Sequence, residues 1–584
     1  MNVGTWEKVE ISLEGEGNYD DPYNDVDVWV DLEGPGFSKR CYGFWDGGNS
    51  FSVRVVATAP GTWRWTAGAS VADKGLTGKT GSFDASDWTE EEKRENPNRR
   101  GIVRASGNGH GLQYADGTPF YLLGDTMWAI PTYRFPWYDD DAERPTGPDM
   151  GFKDVIRYRK KQAFNSVAIL ACFPNWDDDG KPARLENDEG VVIRAAWKAP
   201  NGSAKPMHNE GGKAFHFPGK VPGYEDVYPD VTRLNPEYFR YLDRKMDFLQ
   251  QQGFVPFLEV VRRDATQPWK RYYPWPESYA RYVQYVFARY QAHNVVLSPI
   301  HFDSKKDALT PREYNVPANF VHQKYGPPPF GNLVSTNAGP STLCQFGHVS
   351  DEAPWLTLHQ IGNMREHDYY WYLTEIYHKN PPVPALHGEP YYSGWGTQVE
   401  YYKDFAVPGD TPKDDRYVRS GMYGSFLSGG LAGYIYGCTG LVRAVNEPYD
   451  KWPTKIWVGL QWSSATMIPI FKEFVFCEGE RYADLVPNEN LVSPNRDHNL
   501  KAFDGWAYCA RTPDRDLFLL YFEKGIEPGY VRSALHDAQY KAEWYDVRTG
   551  KWVDAGILQA DDLETIDLPS KPDDEDWALR LKLV

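Results

Sequence analysis

Two carboxylates stand at the ends of apolar runs. Glu389 follows Val383-Pro384-Ala385-Leu386-His387-Gly388 and precedes Pro390-Tyr391-Tyr392, while Asp303 follows Ser298-Pro299-Ile300-His301-Phe302. An acid at the C-terminal lip of a buried parallel strand is costly unless it meets a ligand. Two such acids facing one another suit glycosidic bond cleavage. One carboxyl group protonates the leaving oxygen, and the other acts as nucleophile or activates water, because the transition state resembles an oxocarbenium ion. A separation of about 5 to 5.5 Å gives retention of configuration, and roughly 6.5 to 9.5 Å gives inversion. Each acid also has a plainer reading: Glu389 as a structural partner of an arginine, Asp303 as loop chemistry beside Ser304 and Lys305.

Other residues are candidates for the same mouth. Asp125, in Leu122-Leu123-Gly124-Asp125-Thr126-Met127-Trp128, is placed to bind sugar hydroxyls beside a stacking Trp128, or to cap the next helix. His359 ends another expected strand and would hydrogen-bond sugar or nucleophile, or be a buried, satisfied histidine. His301, Tyr391, Tyr436 and Trp176 are further wall candidates. Glu259 and Asp264, flanking Arg262 and Arg263, are reserve acids should Asp303 be a bystander.

The elements that position these groups follow from periodicity. Eight apolar strands are expected at Pro119 to Gly124, Ser166 to Cys172, Phe254 to Val261, Val295 to Ile300, Leu333 to Ala338, Trp355 to Gln360, Val383 to Gly388 and Ala432 to Cys438. Amphipathic helices lie between them. The clearest has an Asn235 cap, Pro236 in its first turn, Phe239, Leu242, Met246 and Leu249 on one face, and a stop at Gly253. Eight such units predict a (β/α)8 TIM barrel over 101–478, whose strands four and seven bring Asp303 and Glu389 to one mouth. Alternating segments predict β-sandwich domains at 1–97 and 485–584, with the charged run from Trp88 to Arg100 as a linker. The long insertion from Phe173 to Arg233, after the second strand, is expected to form a lid or pocket wall.

Composition narrows the partners. With 584 residues, 41% hydrophobic and 25% charged, the chain is ordinary multidomain globular protein. Its 22 Trp, 39 Tyr and 28 Phe suit sugar stacking, although β-rich domains also use aromatics as strand filler. A net charge of −18 argues against nucleic acid and anionic lipid. The six cysteines are scattered and read as buried thiols, Cys172 and Cys438 above all. No zinc-ligand spacing or phosphate-binding loop appears, and neither metal nor cofactor is expected. Met1 to Glu7 has no signal-peptide pattern and no 18-residue apolar run occurs, so the default expectation is cytoplasmic, or secreted or periplasmic for a trimmed chain.

Several blocks resemble the apiosidase-like glycoside hydrolases. They are Phe120 to Trp128, Trp355 to His359, Pro384 to Tyr392, and Val418 to Tyr423 leading to Gly429 to Gly437. The resemblance implies a (β/α)8 catalytic domain, often between a β-sandwich and a collagen-binding-type β domain. It further implies an Asp after strand four as acid/base and a Glu after strand seven as nucleophile, positions matched here by Asp303 and Glu389. One departure is clear: the family usually has Gly-Gly-Asp at the fourth strand, whereas here Asp303 follows His301 and Phe302. That alters the surroundings of the acid and puts apiose as substrate in doubt. The expected activity is a retaining, exo-acting glycoside hydrolase on a plant, algal or microbial polysaccharide or a derived oligosaccharide. The alternatives are a non-catalytic carbohydrate-binding barrel and a metal-dependent or lyase enzyme, the latter poorly served by 13 scattered histidines. A homo-oligomer is left open.

Overall fold

Short apolar segments followed by amphipathic helices build a closed parallel barrel in the computed structural model. It describes residues 2–172, 184–194, 208–302, 308–363, 366–395, 407–446, 453–496 and 503–584, and only the backbone of Arg184, Arg194, Asp264 and Asp368. The barrel strands are β1 (Leu122–Thr126), β2 (Ser166–Cys172), β3 (Phe257–Val261), β4 (Val296–Ser298), β5 (Asn337–Ala338), β6 (His359–Ile361), β7 (Ala385–His387) and β8 (Gly433–Tyr436). Seven of them form one sheet in the order β4-β3-β2-β1-β8-β7-β6. The β5 region closes the ring. Asn337 pairs in parallel with His301, just past β4, Leu297 bridges Val334, and the Leu358 N–H before β6 donates to the Val334 carbonyl at 3.1 Å.

Around the ring stand α1 (Phe152–Lys161), α2 (Pro236–Gln251), α3 (Glu277–Tyr290), α4 (Pro311–Tyr325), α5 (Thr342–Phe346), α6 (Trp371–Tyr377), α7 (Pro412–Leu427) and α8 (Ile468–Val475). Caps fix several starts: Asn235 accepts from the Glu237 N–H at α2, and Thr411 from the Asp414 N–H at α7. Strand alternation sorts the core into two layers. Leu122, Phe257, Val296, Leu386 and Ile435 meet inside the barrel. Their neighbours Leu123, Leu258, Leu297, Ala385 and Tyr434 face the helices.

One expectation needs correction. The segment from Pro119 is not one strand: Pro119–Phe120 pairs antiparallel with Leu112–Gln113, and the barrel strand starts at Leu122. Phe120 and Leu112 then join the inner cluster as a stopper below β1. The charged run from Trp88, expected as a linker, carries short helical structure. It forms a helix, Glu90–Glu95, opened by a Thr89/Glu92 capping box, and a 3-10 turn, Pro97–Arg100. Its residues lack an apolar face, so caps and ion pairs such as Arg100–Glu90 hold it instead.

The flanking domains are β-built and welded to the barrel by buried charge. The N-terminal sandwich packs a five-stranded sheet on a three-stranded one around its own apolar core. Its Arg54 meets Asp243 of α2, which also takes Arg289 of α3, Nη2 to Oδ2 distances being 2.6 Å in both pairs. The C-terminal domain has a six-stranded and a three-stranded sheet, and its Asp576 binds Arg419 of α7 with Nε at 2.6 Å. Cys172 and Cys438 are buried as expected, but Cys344 is exposed and Cys477 half-buried. Among the described residues no helix is long and apolar enough to cross a membrane.

Candidate active site

At the C-terminal lip of β7 the chain turns at Gly388 and carries Glu389 into the barrel mouth, where it is 2% exposed. A side chain at Gly388 would strike the Gln360 Oε1, since a Cβ there would lie 1.7 Å from it. Any larger residue there would have to push the Gln360 amide aside. The Asn337 amide at the end of β5 donates to Glu389 Oε2 at 3.3 Å. Gly362, past β6, lies against both: an added Cβ would be 3.1 Å from Asn337 Oδ1 and 3.5 Å from Glu389 Cβ.

A second acid lies in the same shell. Glu259 sits on β3 at an inward position, two residues after Phe257, and is buried. Its Oε1 accepts the Asn337 backbone N–H at 3.1 Å, and its Oε2 lies 2.5 Å from His301 Nδ1. Burial pushes the Glu259 carboxyl well above the usual range, and the charge of Glu389 acts in the same direction, against Asn337 and Arg262. Asn337 thus touches both acids, one through its backbone and one through its side chain.

Aromatic rings line the wall beside this pair. Trp128 packs edge to face on His301, with centroids 4.9 Å apart, and approaches Tyr392 at 6.4 Å. Tyr392 accepts a hydrogen bond from the Thr126 hydroxyl at 3.1 Å and packs on Trp395, over which Arg443 lies at 4.5 Å. Rings with polar edges next to buried carboxyl groups make a surface suited to a sugar ring.

The structure brings together Glu389, His301 and Trp128 of the expected set. Asp303 and Trp176 lie outside the described residues. Asp125, Tyr436, Tyr391 and His359 turn the other way, because each occupies an outward position of its strand or turn. Asp125 is fully buried against Arg159 of α1, with Nε to Oδ2 at 2.6 Å. Burial holds its carboxyl up at about 6, with Arg159 pulling it down. Tyr436 shares that layer, bonded to Ser464 at 2.8 Å with Arg159 over its ring. Tyr391 donates to Asp414 of α7 at 2.7 Å. His359 is bonded to Thr342 at 2.7 Å and His348 at 3.0 Å, and burial, helped by His348, holds its ring at about 3. These four are thus corrected from sugar contacts to contacts within the protein.

Sequence reasoning passed over Asn337, Gln360 and Tyr392. Asn337 follows Ser335 and Thr336 in a mixed polar stretch, so it carried no signal of the kind that marked Glu389. For Tyr392 the signal was one residue of register, since adjacent tyrosines past a strand face opposite layers. Among the described residues one group could share a cation: His536, Asp537 and Asp562, exposed in the C-terminal domain.

Comparison with known proteins bears on the whole chain. Residues 106–478 match the model of the apiosidase-like catalytic domain, residues 2–70 that of a domain of unknown function (DUF5060), and residues 486–582 that of a "Putative collagen-binding domain of a collagenase". Among solved structures, a "putative glycoside hydrolase" from Bacteroides vulgatus ATCC 8482 superposes with a TM-score of 0.65 at 16% identity, covering 100% of both chains. A glycoside hydrolase family 5 structure from the same organism gives 0.56 at 16% identity, over 83% of this chain and 94% of that one. At these identities the likeness is one of fold. No curated protein matches the chain.

Proposed function

The chain belongs to the apiosidase-like glycoside hydrolase family, and from that premise we propose that it cleaves glycosidic bonds with retention, using Glu389 as nucleophile and Asp303 as acid/base. The observation that carries this reading is Glu389 itself, a buried carboxylate at the lip of β7, hydrogen-bonded by the Asn337 amide. A nucleophilic carboxylate needs a fixed orientation toward the anomeric carbon, and the Asn337 amide helps to fix that orientation. The substrate class is a plant, algal or microbial polysaccharide or an oligosaccharide from one. Exo action is favoured by the long insertion between β2 and α2, since insertions after barrel strands tend to close a cleft into a pocket.

The test is a parallel incubation of wild type and Glu389→Gln with polysaccharides, oligosaccharides and aryl glycosides, with released sugars separated by chromatography. Release by the wild type alone, reduced by several orders of magnitude in the variant, is expected. Proton NMR of freshly released sugar is expected to show the anomer of the substrate. Equal release by both proteins removes Glu389 from the mechanism, and the opposite anomer replaces retention with inversion.

A further inference from the structure

Glu259 has no place in a two-carboxylate mechanism built on Glu389 and Asp303, yet it is buried in the same mouth and bonded to both halves of the frame around Glu389. We propose that Glu259 is a positioning residue: holding a proton that it shares with His301, it orders Asn337, and through the Asn337 amide it aims the Glu389 carboxylate. This rests on the reading of Glu389 as nucleophile.

The hydrogen-bond inventory carries the argument. Glu259 Oε1 takes the Asn337 backbone N–H at 3.1 Å, and the side chain of that residue donates to Glu389 Oε2 at 3.3 Å. Glu259 Oε2 lies 2.5 Å from His301 Nδ1, a short hydrogen-bonding distance that a proton on the carboxyl, donated to a neutral imidazole, would satisfy. Were Glu259 ionised and His301 neutral, two carboxylates would stand in one desolvated shell with like charges opposed. Among the described residues, the groups that act on Glu259 are His301 and Asn337 by hydrogen bond, with Glu389 and Arg262 at longer range. With its own proton retained, Glu259 leaves the negative charge of this shell on Glu389, where the chemistry needs it. The same bonds fix the ring of His301, on which Trp128 packs, so one carboxyl group braces both an acid and part of the sugar-facing wall.

Glutamine can replace a protonated glutamate in this frame. Its Oε1 still accepts the Asn337 N–H, and its amide still donates to His301 Nδ1, without charge at any pH. Alanine removes both bonds. Two experiments separate the idea from its premise. Infrared difference spectra of wild type minus Glu259→Gln, at neutral pH and without substrate, are expected to contain a protonated-carboxyl C=O band; absence of that band overturns the shared-proton frame whatever the enzyme cleaves. On a glycoside that the wild type turns over, Glu259→Ala is expected to lose about 10²-fold in kcat with KM little changed, the signature of a misaimed group. Glu259→Gln is expected to recover most of that loss. A folded Glu259→Ala with wild-type kcat, or a Gln variant as impaired as Ala, sinks the positioning role. Failure of Glu389→Gln to lose activity would instead sink the premise and the aiming role with it, while the infrared band would still report the Glu259 proton.

Discussion

At the scale of single residues, the difference between Glu389 and Asp125 is one of direction. Both are acids at the ends of apolar strands, and both are buried. Glu389 is carried past the strand end into the mouth, whereas Asp125 lies within β1 on the face that meets α1. A fully buried ion pair that loses one partner leaves an uncompensated charge, a loss of about 3 to 5 kcal/mol. Asp125→Asn is therefore expected to lower the unfolding free energy by that amount, measured by denaturant titration, while KM for any cleaved glycoside stays at the wild-type value. A raised KM with unchanged stability would return Asp125 to the sugar site.

At the scale of elements, glycines at strand ends decide where the mouth rings sit. β8 ends at Tyr436, and at the following Gly437 an added Cβ would lie 2.5 Å from the Tyr392 ring. That ring is buried and anchored through Thr126, so it has little freedom to yield. Gly437→Ala is expected to cost about 1 to 3 kcal/mol in overpacking and to raise KM by tilting Tyr392 away from its wall. Thermal unfolding and steady-state kinetics check both effects, and a variant unchanged in each would remove Tyr392 from the wall.

At the scale of the whole molecule, the N-terminal sandwich is joined to the barrel by Asp243 between two guanidinium groups. Burial alone would raise the Asp243 carboxyl, but Arg289 and Arg54 outweigh it and hold the group below its ordinary value. A carboxyl depressed in the folded state stabilises the fold fully above its unfolded pKa of about 3.9 and loses that contribution as pH falls below it. Wild-type stability is expected to fall by about 1.4 kcal/mol per pH unit from this group once pH drops below ~4. Asp243→Asn should begin less stable and lack that increment of slope, as read from urea titrations at pH 3 to 5; identical slopes would count against the weld.

Legibility in the sequence followed locality. Periodicity of apolar residues marked every barrel strand within a few residues, because a buried parallel strand must be apolar wherever it lies. Composition at strand ends exposed Glu389, and the Asn235 and Pro236 signals found the start of α2. The chain alone thus determined the barrel, its flanking β domains and an acid at the mouth. Tertiary structure alone decided which neighbours that acid would have. Glu259, His301, Asn337 and Glu389 are separated by tens of residues, and only closure of the ring, with β5 held between the β4 side and β6, brings them into hydrogen-bonding reach. Facing was likewise a tertiary matter. Side chains alternate every residue along a strand, so an error of one position in register exchanges a Tyr392 that packs by Trp128 for a Tyr391 that meets α7, and no local pattern of types can fix that choice.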